Sequence, residues 1–355
     1  MRELPALWMG TLRVSTGQLD LLPAPAPARG LAVLDERQRG SRFLELPARS
    51  VLNTPATTRM GFWSLNPYVG CEFGCTYCYA RDTHRYAVER SGTAPEPLPA
   101  WEAFERRILV KTGVAEVLAR TLDPARLGGH TLVIGTATDP YQPAERRFRL
   151  TRRVLGVLLQ YRGLSIGIIT KSPLVTRDLD VLARLAERHE VTVNISLATL
   201  DRRLARRLEL RSPAPAARIR ALARLTAAGI HAGLLVAPIL PGITDGRAAL
   251  DRLLGAAKAA GARYVVGSAL RLGPAARRRF LPVLAREFPE LAARYERHFA
   301  RSDNTSPAYQ RALAGRLREL QRRHGFPVNE GMKRQRQLEG GSASAGEALA
   351  QTALF

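Results

Sequence analysis

The chain has 355 residues, 46% of them hydrophobic, and 54 Lys and Arg against 31 Asp and Glu, a formal charge of +23. That length suits one large core; no apolar run approaches the roughly 20 residues a bilayer span needs, and the first residues lack a basic start followed by an unbroken apolar stretch, so a cytoplasmic location without a membrane is expected. The positive surplus attracts phosphate backbones through counterion release, which makes nucleic acid an expected partner.

Residues 1–60 are rich in Pro, Ala and Arg, as in Leu22–Arg29 (LPAPAPAR). Without sustained periodicity they are predicted to form an irregular extension wrapped on the main domain. From 61 to 273, short apolar runs alternate with amphipathic stretches. The predicted strands are Gly61–Val69, Thr131–Gly135, Leu164–Thr170, Val191–Leu197, His231–Val236 and Arg263–Ala269. Arg107–Lys111 reads as an additional short strand before a helix over Val114–Leu122. The intervening helices are predicted over Thr151–Arg162, Thr176–Arg188, Pro215–Ala228 and Asp245–Ala260. This makes about six βα units and an α/β fold with the site at the strand C-termini. Periodicity alone does not choose between an open partial barrel and a doubly wound sheet.

After Leu272 the pattern is helical only: Pro274–Phe288, Pro289–Phe299 and Pro307–His324, each opened by a proline suited to a first turn. Residues 274–335 therefore read as a helical appendage. Residues 336–355 read as a flexible tail, because Gly340–Gly346 (GGSASAG) has linker composition.

The three cysteines, Cys71, Cys75 and Cys78, lie within eight residues in the spacing C-x3-C-x2-C. An odd number packed so closely excludes a secreted disulfide framework and points to metal ligation. Gly70 and Gly74 allow the loop to bend tightly. Three thiolates on a four-iron cube leave one iron bare. The alternative is a non-catalytic nucleic-acid-binding protein in which His84 completes a Cys3His zinc site.

Candidate polar groups collect at the strand ends. Gly135–Glu145 (GTATDPYQPAE) follows a strand directly, with Asp139 also readable as a cap for the next helix. Thr170, Lys171 and Ser172, then Ser196 and Thr199, then Pro238–Asp245 occupy the later ends. A lysine ending an apolar strand must reach water, an acid or a bound anion, which makes Lys171 a candidate catalytic residue.

The segment Asn66–Thr83 (NPYVGCEFGCTYCYARDT), with Tyr77 before the last cysteine, resembles the signature of the radical S-adenosylmethionine superfamily. The resemblance implies an open partial (β/α)6 barrel, a 4Fe-4S cluster on Cys71, Cys75 and Cys78, and S-adenosylmethionine held at the bare iron. It further implies that an electron from a donor such as flavodoxin or ferredoxin cleaves the sulfonium bond, giving a 5′-deoxyadenosyl radical that takes hydrogen from a substrate. By the same resemblance Gly135, Thr136 and Thr138 lie near the methionine amino group, Ser196 near the ribose or methionine portion, and the backbone near Val236 at the adenine. Tyr77 fills the signature's aromatic position, and Arg218 would pair with the cofactor carboxylate, a solvated helix face being its other reading.

Residues 50–275 are similar to the spore photoproduct lyase branch, through NPYVGCEFGCTYCYARDTH, GTATDPYQPAE, TKSPLVTRDLD and APILPGITD. This implies a reaction like DNA photoproduct repair; the alternative is modification of a protein or small metabolite. Those lyases use a further cysteine as hydrogen donor, which this chain lacks. Tyr141 or Tyr79 is then the candidate donor, unless the adenosyl product serves or the substrate differs. Leu210 stands where the branch has proline. The last five residues, Gln351–Phe355 (QTALF), resemble the bacterial sliding-clamp-binding peptide, a short tail with two apolar anchors.

Overall fold

The computed structural model describes residues 32–36, 40–58, 60–84, 98 and 100–328. The expected linker and Gln351–Phe355, the segment likened to a clamp-binding peptide, lie outside the described residues. The strands are β1 (Val33–Glu36), β2 (Arg42–Glu45), β3 (Leu52–Asn53), β4 (Trp63–Leu65), β5 (Tyr68–Val69), β6 (Arg107–Val110), β7 (Leu132–Ile134), β8 (Ser165–Thr170), β9 (Glu190–Ser196), β10 (Ala232–Ile239) and β11 (Val265–Ala269).

The main sheet has the order β11-β10-β9-β8-β7-β4-β3. From β4 to β11 every pairing is parallel, while β3 joins β4 antiparallel at the edge. The parallel strands follow one another in chain order with no reversal, so the sheet is singly wound. A doubly wound sheet would reverse at a switch point. The fold is therefore α/β, and the strand order is that of a partial (β/α)6 barrel.

Alternation along the strands decides which face meets the helices. Val191, Val193 and Ile195 of β9 and Ile166 and Ile168 of β8 belong to the main apolar core, with Leu222 and Leu225 of helix Pro215–Ala227. Each such side chain contributes about 1.5–3 kcal/mol on burial. The opposite, inner face is more polar: Thr192 and Asn194 are half-buried, and the Tyr264 hydroxyl donates to Asn194 Oδ1 at 3.0 Å. Ser196, the last residue of β9, and Lys171, just past the end of β8, stand two residues beyond Asn194 and Ile169 and continue this inner face.

Several sequence expectations change. The single strand expected over Gly61–Val69 is two, because Asn66 and Pro67 break it: β4 enters the main sheet and β5 pairs antiparallel with β6. Proline lacks the N–H that a continuing ladder needs. The extra strand at Arg107 is present as β6. It completes a second sheet of order β1-β2-β6-β5, so the described part of 1–60 is not irregular. The predicted Thr176–Arg188 helix begins as a 3-10 turn, Pro173–Asp178, followed by helix Leu179–Ala186.

The three C-terminal helices do not form one appendage. Helices Pro274–Glu287 and Pro289–Phe299 send Phe280, Leu284, Tyr295 and Phe299 into a second apolar cluster that contains Cys71, Phe73, Cys75 and Tyr77. Helix Pro307–Arg323 packs instead on β11 and on helix Arg247–Ala259, with Leu313, Leu317 and Leu320 in the main core. A Cβ on Gly267 would come within 2.5 Å of Leu317, so glycine permits this close seat. That helix supplies the outer layer over β11.

Candidate active site

The cysteine loop leaves β5 and is held from three sides. Cys71 N donates to Phe104 O at 2.8 Å, Thr76 N donates to Leu208 O at 2.9 Å, and Cys75 forms an isolated bridge with Glu209. Arg81, fully buried, donates to Cys75 O at 2.7 Å and to Glu105 at 2.6 Å. Burial pushes the Glu105 carboxyl up, yet Arg81, Arg279 and Arg211 outweigh it and hold the group below its ordinary range. Gly74 has φ +62°, and a Cβ there would lie 2.5 Å from Arg211 Nη2 and 2.8 Å from Glu105 Oε2. The cysteine spacing thus depends on glycine at this position.

Burial pushes all three thiols above their ordinary pKa, Cys75 up to about 12. The negative charges of Asp139, Cys75 and Cys78 add to burial at Cys71. Lys171 and Arg81 pull the other way at Cys75 and Cys78, but burial outweighs them, so the thiols hold their protons at neutral pH until a bound metal favours the thiolate forms. This donor set suits an iron–sulfur cube, whose ligands bind separate irons and need not meet at one point. Among the described residues no three His, Cys, Asp or Glu converge on a single-ion position. His84 is buried with Nε2 3.3 Å from Arg107 O and its ring against Phe104. The Cys3His zinc alternative therefore finds no site.

The turn after β7 is pinned to this loop. Thr138 Oγ1 donates to Gly70 O at 2.6 Å, and Gln142 Nε2 donates to Gly70 O at 3.1 Å while its Oε1 accepts from Glu72 N at 3.0 Å. Asn66 donates to Thr136 Oγ1 at 3.2 Å and accepts from Ala137 N at 2.8 Å. Gly135 has φ +97°, and a Cβ would stand 2.5 Å from Pro140 Cδ and 2.6 Å from Ile169 O, so no other residue fits. Asp139 caps its own turn at Tyr141 N, 2.9 Å, and does not cap the next helix, whose N-cap is Ala144. It also reaches across to β8, accepting from Thr170 Oγ1 at 2.6 Å and Lys171 N at 2.7 Å.

A buried ionic network closes the other side. Lys171 Nζ donates to Ser196 Oγ at 2.9 Å and to Glu209 Oε1 at 3.0 Å. Tyr77 OH and Arg218 Nη2 donate to the same carboxylate. Arg218 also donates to Ser196 O at 3.1 Å and Pro213 O at 2.9 Å. Burial raises the Glu209 pKa, but Arg218 and Lys171 dominate and bring it to about 2. Arg218 is 1% exposed, so the solvated-face reading is wrong. Ser196 Oγ donates to Ala237 O at 3.2 Å, which brings together Ser196 and the backbone beside Val236. The Val236 side chain itself points into the main core.

The two tyrosine candidates separate. Tyr141 has no exposed surface, belongs to the main core, and its phenol lies against Asp178 and Glu145. It borders a groove beside Phe73 but exposes no surface to it. Tyr79 is half-buried, its hydroxyl donating to Thr136 O, with the positive charge of exposed Arg271 acting on it. Thr199 Oγ1 accepts from Asp201 N at 3.1 Å and Ser172 Oγ from Leu174 N at 3.3 Å, both local caps.

The family model of the Radical SAM superfamily matches residues 65–254, over half the chain. The chain belongs to the Radical SAM superfamily. An uncharacterized protein of Mycobacterium tuberculosis is 38% identical over 283 residues, 79% of this chain and 80% of that one. An uncharacterized protein of Methanocaldococcus jannaschii is 26% identical over 204 residues, 57% of this chain and 70% of the other. A spore photoproduct lyase mutant structure shares the fold with a TM-score of 0.57 at 13% identity, over 79% of each chain. A second such structure, with dinucleoside spore photoproduct, gives 0.55 at 13% identity over 79% of each. As a radical SAM enzyme the protein uses a 4Fe-4S cluster, S-adenosylmethionine and a reductant. Bound together, cluster and cofactor supply a 5′-deoxyadenosyl radical that takes hydrogen from a substrate carbon.

Glu209, Gln142 and Asn66 were not singled out from the sequence. Glu209 had one available signal: it is the single acid in the otherwise basic and apolar stretch Arg202–Arg211.

Proposed function

We propose that this radical SAM enzyme takes hydrogen from a nucleic-acid base, in a reaction of the photoproduct-repair type. The observation that carries the reading is the half-buried Tyr79 beside the exposed Arg271, on a protein with a formal charge of +23. A phosphate held by Arg271 would bring its base towards Tyr79, and the excess charge favours polyanion association. The fold shared with spore photoproduct lyase, one structure of which holds a dinucleoside photoproduct, supports the same substrate class.

Cys71, Cys75 and Cys78 would hold the cluster. The turn Gly135–Thr138 would seat the methionine end of the cofactor through its backbone, since the Thr136 and Thr138 hydroxyls already bond to Asn66 and Gly70. Ser196 and the backbone near Val236 would face the ribose and adenine. Lys171, fixed by Glu209 and Ser196, would neutralise the cofactor carboxylate, while Arg218 would act through Glu209. Tyr79, in place of the missing fourth cysteine, would return hydrogen to the product.

The test is isotope tracing with anaerobically reduced enzyme and deuterated DNA, either UV-irradiated or intact. Deuterium is expected in 5′-deoxyadenosine from irradiated DNA. Unlabelled 5′-deoxyadenosine from both would refute the DNA substrate while leaving the superfamily chemistry in place.

A further inference from the structure

Residues 208–213 lie strapped across the cysteine loop. Thr76 N and Thr76 Oγ1 both donate to Leu208 O at 2.9 Å, Glu209 bridges Cys75, and Arg211 N donates to Phe73 O at 3.0 Å. Ser212 N donates back to Glu209 O at 3.1 Å, and Pro213 O accepts from Arg218 Nε at 2.9 Å. Held from both sides, Ser212 sets its hydroxyl 3.4 Å from Cys75 Sγ, the two residues being 5% and 6% exposed. The serine is not used as a cap: the helix that follows, Pro215–Ala227, has Ala214 as its N-cap, and Pro213 has no N–H to offer. The sulfurs of Cys71 and Cys78 are served from within the loop, by the backbone N–H groups of Phe73 and Ala80. Among the described residues, a hydroxyl bonds a cysteine sulfur at Cys75 alone, and it comes from 137 residues away.

We infer that Ser212 sets the reduction potential of the cluster, acting through Cys75 as a positioning residue. The inference rests on Cys75 as a cluster ligand. A metal-bound sulfur is a thiolate and can only accept, so in the loaded protein the hydroxyl is the donor. Reduction brings one electron from the reductant and breaks no bond, and the added negative charge is shared with the ligand sulfurs. A donor aimed at one of them stabilises the reduced form more than the oxidised form and so raises the potential. Hydrogen bonds to charged acceptors are the strong ones, and burial away from water strengthens this one further. The neighbouring charges do not replace it, because Lys171 and Glu209 act on Cys75 in opposite directions and are paired with each other at 3.0 Å.

The experiment reconstitutes the full chain anaerobically and follows the electron paramagnetic resonance of the reduced cluster through a redox titration. Wild type, Ser212→Ala and Ser212→Thr are compared, with Cys75→Ala assayed for iron. Ser212→Ala should keep full iron content while its reduction equilibrium falls about tenfold, a midpoint about 59 mV lower for a one-electron couple. Ser212→Thr, which keeps a hydroxyl, should stay at the wild-type midpoint. In deuterated water, the hyperfine coupling of one exchangeable deuteron should disappear in Ser212→Ala and persist in Ser212→Thr. An unchanged midpoint in Ser212→Ala would overturn the inference. So would an equal fall in Ser212→Thr, or loss of iron from Ser212→Ala, either of which would make the serine a packing residue. Full iron in Cys75→Ala would refute the ligand assignment and the inference with it. Iron lost from Cys75→Ala, with an unchanged midpoint in Ser212→Ala, would keep the assignment and refute the tuning alone.

Discussion

Replacing Glu209 with glutamine keeps the side-chain shape and removes the charge that Arg218 and Lys171 surround. Glu209 is 3% exposed, and its partners Arg218 and Lys171 are 1% and 15% exposed, so solvent screens the network little. The carboxyl moves from its ordinary 4.5 to about 2. At about 1.4 kcal/mol per pH unit this corresponds to about 3 kcal/mol of stability. The loss of one partner from a buried pair gives a similar figure, about 3–5 kcal/mol. Because the folded pKa is the lower one, the contribution is complete above 4.5 and disappears as pH falls towards 2. Anaerobic urea unfolding of wild type and Glu209→Gln should therefore differ by about 3 kcal/mol between roughly pH 5 and pH 8, with the gap narrowing below about pH 4. A cycle with Lys171→Met should show the two changes to be non-additive. If the two proteins unfold within about 0.5 kcal/mol of one another at neutral pH, the network carries no net stability and the reasoning fails.

Gly135→Ala should lower stability by about 2 kcal/mol or more, because its Cβ meets Pro140 and the Ile169 carbonyl; thermal unfolding measures it, and S-adenosylmethionine affinity should fall with it. Cys78→Ala should abolish both iron retention after reconstitution and dithionite-driven formation of 5′-deoxyadenosine, and full iron content in that variant would contradict the cluster assignment. Tyr79→Phe should leave hydrogen removal from substrate intact and block hydrogen return, so that by-products accumulate, whereas Tyr141→Phe should alter stability alone. Deleting Gln351–Phe355 should remove capture by an immobilised sliding clamp while S-adenosylmethionine cleavage continues at the wild-type rate.

The sequence exposed the parts of the site that depend on local spacing. Three cysteines on one loop, glycine after an apolar strand and a hydroxyl or lysine at strand ends are all patterns of neighbours in the chain. The parallel strands were legible for the same reason, since each is a short, mostly apolar run between amphipathic stretches. Contacts made across the chain were not. Glu209 lies 38 residues from Lys171 and 132 from Tyr77, and nothing local distinguishes it from a surface acid between arginines. Arg218 stayed open between a cofactor contact and a solvated helix face, because an arginine on a helix is normally solvated and its burial follows from a partner, Glu209, that the sequence does not display. The break at Asn66 was signalled by Pro67, but the alternation on either side obscured it. The strands within 1–60 are two to four residues long, too short to show a period.

Helix Pro307–Arg323 has a consequence for how the chain assembles during synthesis. The strand it shelters, β11, is finished well before it, and the two helices between them turn away towards the cysteine loop. Until that late helix leaves the ribosome, Gly267 and its neighbour Ile239 present an uncovered apolar flank, a surface of the kind that draws chaperones or aggregates. A nascent chain halted before Pro307 would hold every metal ligand and every strand of the barrel, and still lack the wall that seals its last edge.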